Sequence, residues 1–211
     1  MEHPDTPLPP AWNPSVALEI EHPVTPLTNW KLRRAAADAE QCLSSLPGGY
    51  AAMSPLVESD ECKIDPRLSV TKVGEAALKK VETTCAVALR MAMWEKHTLQ
   101  PAATMILGSG VSEILHLSSY NCRPIRTAAG EDARMSTHAT AEAIDVTGFV
   151  LDDDRRVRLD EDWSSTGPSA KFLRAARDGA CEWFQTTLGP DYNSLHRDHF
   201  HLQSRGWGLC R

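Results

Sequence analysis

No apolar run in this 211-residue chain extends beyond a few positions, far short of the roughly 20 residues that a membrane-spanning helix needs. A transmembrane segment is therefore not expected. The first thirty residues also lack the charged-then-apolar plan of a signal peptide, so either an export signal has been removed or the protein leaves the cytoplasm by another route. Basic runs are missing too. With 22 Lys and Arg against 28 Asp and Glu, the net charge is -6 and the pI near 5.7, which argues against a nucleic-acid partner. Among the six cysteines (Cys42, Cys62, Cys85, Cys122, Cys181 and Cys210) there is no C-x-x-C pair, so a structural zinc site built from them is not expected. Their even number and wide spacing fit three disulfides in an oxidising compartment such as the bacterial periplasm; the alternative is six buried free thiols in the cytosol. The spacing does not choose a connectivity. Asp152, Asp153 and Asp154 lack the alternate-position spacing and distant Glu of a calcium loop, and read as a solvated turn.

What is present suggests one domain with an appendage. Residues 1–28 hold Pro4, Pro7, Pro9, Pro10, Pro14, Pro23 and Pro26, a density that forbids a continuous helix and favours chain draped over the body or disordered. The domain proper is expected over 29–211. It starts with a helix over 29–46, capped by Thr28 or Asn29, with Leu32, Ala36, Ala39, Leu43 and Leu46 at helical spacing before Pro47-Gly48-Gly49. Short turn-rich pieces follow, with a weak strand at 68–73. A second helix capped by Thr83 or Thr84 runs to about His97, placed to complement the helix dipole, and Pro101 introduces a further helical turn. A strand is expected over 111–120, a loop over 124–135, a strand over 143–151 with a returning strand over 155–159, and a helix from Pro168 to Leu188. A last strand around His199 to Gln203 completes an α+β fold, with a small mostly antiparallel sheet carrying the site and helices on the other side.

The chemistry concentrates in two segments. His196-Arg197-Asp198-His199-Phe200-His201 would place His199 and His201 on one face if Phe200 sits in a strand, and imidazole is both the commonest metal ligand and the side chain that titrates nearest neutral pH. A bare H-x-H also reads as a surface cluster. The second segment, Ser136 to Asp145, separates His138 from Asp145 by seven residues. On a helix that would be a rise of roughly 10 Å, but a loop folding back onto a strand has no such limit. His138, Asp145 and His201 make a two-nitrogen, one-oxygen set that leaves one coordination position open, as catalytic zinc requires.

These two segments, with Ser119 to Arg123, Leu188 to Asn193 and the closing Cys210-Arg211, resemble the bacterial extensin-like C-terminal domain over about Cys62 to Arg211. The metal motif is similar to that of the LAS group of zinc metallopeptidases, which includes murein endopeptidases and D-Ala-D-Ala carboxypeptidases. The family usually has Gly where this chain has Ala141. The resemblance implies a LAS-like fold and a zinc-dependent hydrolase acting on peptidoglycan stem peptides. In it His138, Asp145 and His201 would hold Zn2+, His199 would be general base and then acid, and His196 would share that proton or stabilise charge. Arg123, in a S-x-Y-x-x-R arrangement, would steady an oxyanion or a substrate carboxylate; a structural ion pair is the alternative. Asp198 would orient an imidazole, and Ser136 would cap its loop rather than act as nucleophile. The setting is expected to be extracytoplasmic, either as a periplasmic wall-remodelling enzyme or as an antibacterial effector with secretion machinery and a cognate inhibitor as partners. Two rival readings stand beside it: a non-hydrolytic cell-wall binding module on the same fold, and a zinc hydrolase for a non-peptide substrate.

Overall fold

The computed structural model describes residues 8–127 and 130–211. Pro4 and Pro7 lie outside the described residues. From Leu8 onward the proline-rich segment is draped over the body. A 3-10 turn at Pro10–Trp12 receives a hydrogen bond from the Lys31 ammonium to the Pro10 carbonyl (2.8 Å) and another from the Thr25 hydroxyl to Ala11 (3.1 Å). Leu18 and Ile20 are buried in the main core.

The expected helix over 29–46 is two helices, α1 (Thr28–Ala37) and α2 (Ala39–Ser45). Asp38 makes the break: its backbone is extended (φ -121°, ψ 122°) and its carboxylate accepts from the Gln41 N–H, capping α2. Neither Thr28 nor Asn29 caps α1. Leu27 precedes the first turn, and the Thr28 hydroxyl accepts from the Thr25 N–H instead.

The turn-rich region resolves into β1 (Tyr50–Met53), β2 (Leu56–Val57), β3 (Lys63–Ile64) and β4 (Arg67–Val73). β5 (Ala76–Thr83) follows across a turn at Gly74. Helix α3 (Cys85–Trp94) is buried almost all round, as a helix without a polar face must be. It continues through a π turn at Glu95–Leu99 into α4 (Gln100–Leu107), which ends on left-handed Gly108. Then come β6 (Val111–His116), β7 (Pro124–Thr127) and β8 (Gly130–Met135). The strand expected over 111–120 thus stops at His116. The expected loop over 124–135 is an antiparallel hairpin.

β9 (Ala143–Leu151) and β10 (Arg156–Arg158) form the anticipated hairpin around the exposed aspartates. Gly148 is obligatory there, because a Cβ would collide with the Val157 carbonyl of the returning strand. A short α5 (Leu159–Asp162) leads to α6 (Pro168–Trp183). This helix ends five residues before Leu188: Phe184 is extended, and Thr186–Leu188 form β11. β12 (Phe200–Gln203) and β13 (Leu209–Cys210) close the chain.

The main sheet has nine strands among the described residues, larger than expected, in the order β1-β4-β5-β6-β9-β12-β11-β13 with β10 also on β9. Only β5–β6 and β11–β13 pair in parallel. Helices α3, α4 and α6 cover the face on which β9 presents Ile144, Val146, Phe149 and Leu151. Trp94 is the keystone of this layer: its ring meets Phe149 and Phe184 edge-on at 5.8 and 6.2 Å, and its indole N–H donates to the Ala176 carbonyl (2.9 Å). Truncating a buried aromatic of this kind costs about 3–5 kcal/mol. Three disulfides, Cys42–Cys85, Cys62–Cys122 and Cys181–Cys210, use every cysteine. The last tethers α6 to β13.

His97 is not a charged complement to a helix dipole. It lies in the π turn, stacks against Trp183 at 5.5 Å and pairs with the Ile20 carbonyl (2.8 Å), anchoring the N-terminal segment. Burial lowers its pKa below the ordinary 6.5, outweighing the hydrogen bond to Ile20 that works to raise it. In acid the unfolded chain therefore takes up the proton first. The stability that His97 contributes is complete above about pH 6.5 and is lost as the pH falls toward its folded-state pKa. Urea unfolding at pH 7.5 and pH 5 should show a smaller stability difference in His97→Gln than in the unaltered protein; equal differences would refute this account.

Candidate metal centre

The centre starts from strand register. β12 pairs antiparallel with β9 so that His201 lies directly opposite Asp145. The flanking pairs, Phe200 with Val146 and Leu202 with Ile144, put both apolar partners into the core. Alternation then turns His201 and Asp145 to the opposite face. His201 Nδ1 is 2.8 Å from Asp145 Oδ1.

His138 arrives from a turn built for the purpose. Ser136 caps a 3-10 turn at Thr137–Thr140, its hydroxyl accepting from the His138 N–H (3.3 Å). The turn closes on Ala141 in the left-handed region (φ 49°, ψ 33°), a conformation that costs an L-residue roughly 1–2 kcal/mol and explains why glycine suits this position. The carbonyl of Ala141 is held by the hydroxyls of Thr83 (3.1 Å) and Thr84 (3.3 Å), while the Ser119 hydroxyl donates to Ala143 (2.6 Å). The turn is thereby sewn to the end of β5 and the start of β9.

His138 Nδ1–H donates to the Ser119 carbonyl (2.9 Å), so Nε2 carries the lone pair. That atom lies 3.1 Å from His201 Nδ1 and 3.2 Å from Asp145 Oδ1. Three donor atoms thus form a triangle with sides of 2.8, 3.1 and 3.2 Å. Tetrahedral ligands on arms of 2.0–2.1 Å would stand about 3.3 Å apart, so the triangle suits one face of such a site. Burial works to raise the Asp145 pKa, but hydrogen bonds and charge from His138 and His201 outweigh it and hold the carboxyl far below the usual carboxylate range. Burial pushes His201 down, against the pull of Asp145. Two imidazoles and a carboxylate, all nearly buried, make a cluster capable of ligating a metal ion.

The other candidate residues surround this cluster. His199 precedes β12 rather than lying in it, yet its Nε2 is 3.7 Å from Asp145 Oδ1, and its Nδ1–H donates to Asp198 (2.9 Å). The His196 ring lies 5.3 Å from His199 and 5.7 Å from His201. Burial, with smaller contributions from its two histidine neighbours, takes the His196 pKa down to about 4. Arg123 lines the same cleft and donates to the Pro124 carbonyl (3.1 Å). The cleft has a volume of about 640 Å³, with the β7–β8 hairpin on one side and the 188–199 segment on the other.

Three contributors were not anticipated. Asp191 accepts from the Trp163 indole N–H (2.9 Å) and pins the 188–199 segment to the body. Asn193 bonds His196 Nδ1 (2.7 Å); its position three residues ahead of that histidine was the available signal. Ser119 acts through its carbonyl, which no side-chain pattern reveals.

Fold and site together define an α+β protein with a buried His-Asp-His cluster at the floor of a cleft. Residues 40–211 match the family model described as "Extensin-like protein C-terminus", and the chain belongs to that family. The match begins upstream of the expected Cys62 and takes in α2 and β1. No curated protein and no solved structure matches the chain.

Added Zn2+ should bind at one ion per chain and raise the melting temperature, with about 2.7 kcal/mol of stabilisation at a hundredfold excess over Kd. Asp145→Ala and His201→Ala should each lose the ion and the shift. Metal analysis after dialysis decides it: full occupancy in both variants would remove these residues from the ligand set.

Proposed function

We propose that the chain is a zinc-dependent hydrolase of the LAS type that cuts peptide cross-links in peptidoglycan. The observation that carries this reading is the position of His199: an imidazole outside the donor triangle, oriented by a carboxylate, with Nε2 3.7 Å from the nearest ligand oxygen. A metal-storage or purely structural site has no use for a free base at that distance. When bound, zinc would polarise the scissile carbonyl and acidify a water.

The chain's own residues do the rest. His199 takes the proton from the attacking water at Nε2 and passes it to the leaving amine, with Asp198 holding Nδ1–H and stabilising the imidazolium in between. His196, neutral at pH 7 because its pKa lies near 4, accepts a hydrogen bond or disperses charge beside it. Arg123 meets the developing oxyanion or a substrate carboxylate from the hairpin side. The open cleft, of about 640 Å³, suits an extended peptide. Three disulfides suit an oxidising, extracytoplasmic setting, where peptidoglycan is found.

Digestion of purified peptidoglycan, followed by mass analysis, should yield fragments cut at cross-link peptides, and a chelator should abolish them. His199→Ala should retain its zinc and lose turnover by roughly a hundredfold or more. Loss of the metal together with activity would make His199 a ligand. Intact wall under every metal condition would refute the hydrolase. Directed to the periplasm of a test bacterium, the protein should lyse or round the cells, whereas His201→Ala and a cytosolic dose should not.

A further inference from the structure

The imidazoles around the cleft share a pattern. His138 gives its Nδ1–H to a backbone carbonyl, His199 gives its own to the Asp198 carboxylate, and His196 Nδ1 is 2.7 Å from Asn193 Oδ1. If the Asn193 amide oxygen is the acceptor, His196 Nδ1 must carry the proton. The amide is not free to rotate away. The same Oδ1 accepts from the Leu195 N–H (3.0 Å), capping the 3-10 turn Ser194–His196, and the Asn193 carbonyl accepts from the His196 N–H (3.1 Å). One residue therefore grips both the main chain and the ring of His196. The ring plane is fixed in turn by Tyr192 at 5.5 Å, His199 at 5.3 Å and His201 at 5.7 Å.

We propose that Asn193 is a positioning residue: its side-chain oxygen locks His196 as the Nδ1–H tautomer, so that this imidazole offers the cleft a lone pair at Nε2 and no proton. The difference between the two flanking histidines follows from their partners. His199 Nδ1 faces the Asp198 carboxylate at 2.9 Å, whereas His196 Nδ1 faces the amide oxygen of Asn193 at 2.7 Å. His196 is then a fixed acceptor for an N–H or O–H of the substrate. This assignment of roles rests on the hydrolase reading, but the tautomer does not.

Two-bond 1H–15N correlation spectra of the histidine rings at pH 7, with and without added Zn2+, read the tautomer directly. His196 should show a protonated Nδ1 and a bare Nε2 in the unaltered protein. Asn193→Ser is the informative variant, because serine still caps the turn but is too short to reach the ring; His196 should revert to the Nε2–H form that free neutral histidine prefers. Asn193→Asp keeps the acceptor and should keep the Nδ1–H form. In wall digestion, Asn193→Ser should lower kcat about tenfold with zinc content unchanged, and Asn193→Asp should recover most of it. A bare Nδ1 in the unaltered protein, or an Nδ1–H form that persists in Asn193→Ser, would overturn the proposal. If the tautomer switches but no wall digestion occurs in any form, the positioning role stands and the hydrolase reading falls.

Discussion

The centre depends on one cross-strand pair, Asp145 opposite His201. A slip of a single residue between β9 and β12 would turn the carboxylate or the imidazole into the core and drive Val146 or Leu202 out of it. The register is therefore specified by hydrophobic burial on the far face, where Ile144, Val146, Phe200 and Leu202 are fully enclosed, and the polar pair inherits its alignment at no extra cost. Neighbouring structure stiffens the arrangement from both sides. β6 pairs along β9, and β11 pairs along β12 with its Leu188 opposite His201. The Cys181–Cys210 disulfide fixes β13 to α6 behind them.

The donor residues were legible because their chemistry is local to short segments. Alternating Ile144, Asp145 and Val146 announces a strand with one polar face, and H-x-D-H-F-H gathers two imidazoles into one short segment, His199 just ahead of β12 and His201 within it. What failed were the elements whose pattern is broken by their own geometry. β5 went unread because Lys79-Lys80 interrupts its alternation, at a place where its pairing with β4 shifts register. The over-long reading of α6 followed the four-residue spacing of Phe184 and Leu188; both are buried, but in extended chain, and the β-branched pair Thr186-Thr187 was the competing signal. Asp38 sat inside a helical period while its side chain was committed to capping the next helix. Ala141 is a different case. Its left-handed backbone is held by the hydroxyls that converge on its carbonyl, which come from the last residue of β5 and the one after it, remote in sequence.

Family membership and covalent framework coincide. The matched segment opens at residue 40, two positions before Cys42, and encloses all six cysteines. Each bridge ties a part of the helical layer or of the cleft's surroundings to another: α2 to α3, the end of the β2–β3 loop to the segment that leads into Arg123, and α6 to β13. The proline-rich segment has no such tether. From Leu8 onward it is held to the body by hydrogen bonds with Lys31 and His97 and by the burial of Leu18 and Ile20.

The wide sequence separation within the donor triangle sets the order in which the centre can come into being. His138 and Asp145 lie seven residues apart, but His201 stands 63 residues from His138 and belongs to one of the last strands of the sheet. During synthesis the first two donors leave the ribosome long before the third, and two donors grip a cation only weakly. A cation held by all three would be captured only once β12 has docked against β9, so its uptake would be coupled to completion of the sheet. A truncated or misregistered chain would lack the third side of the triangle, leaving two groups where the folded protein presents three.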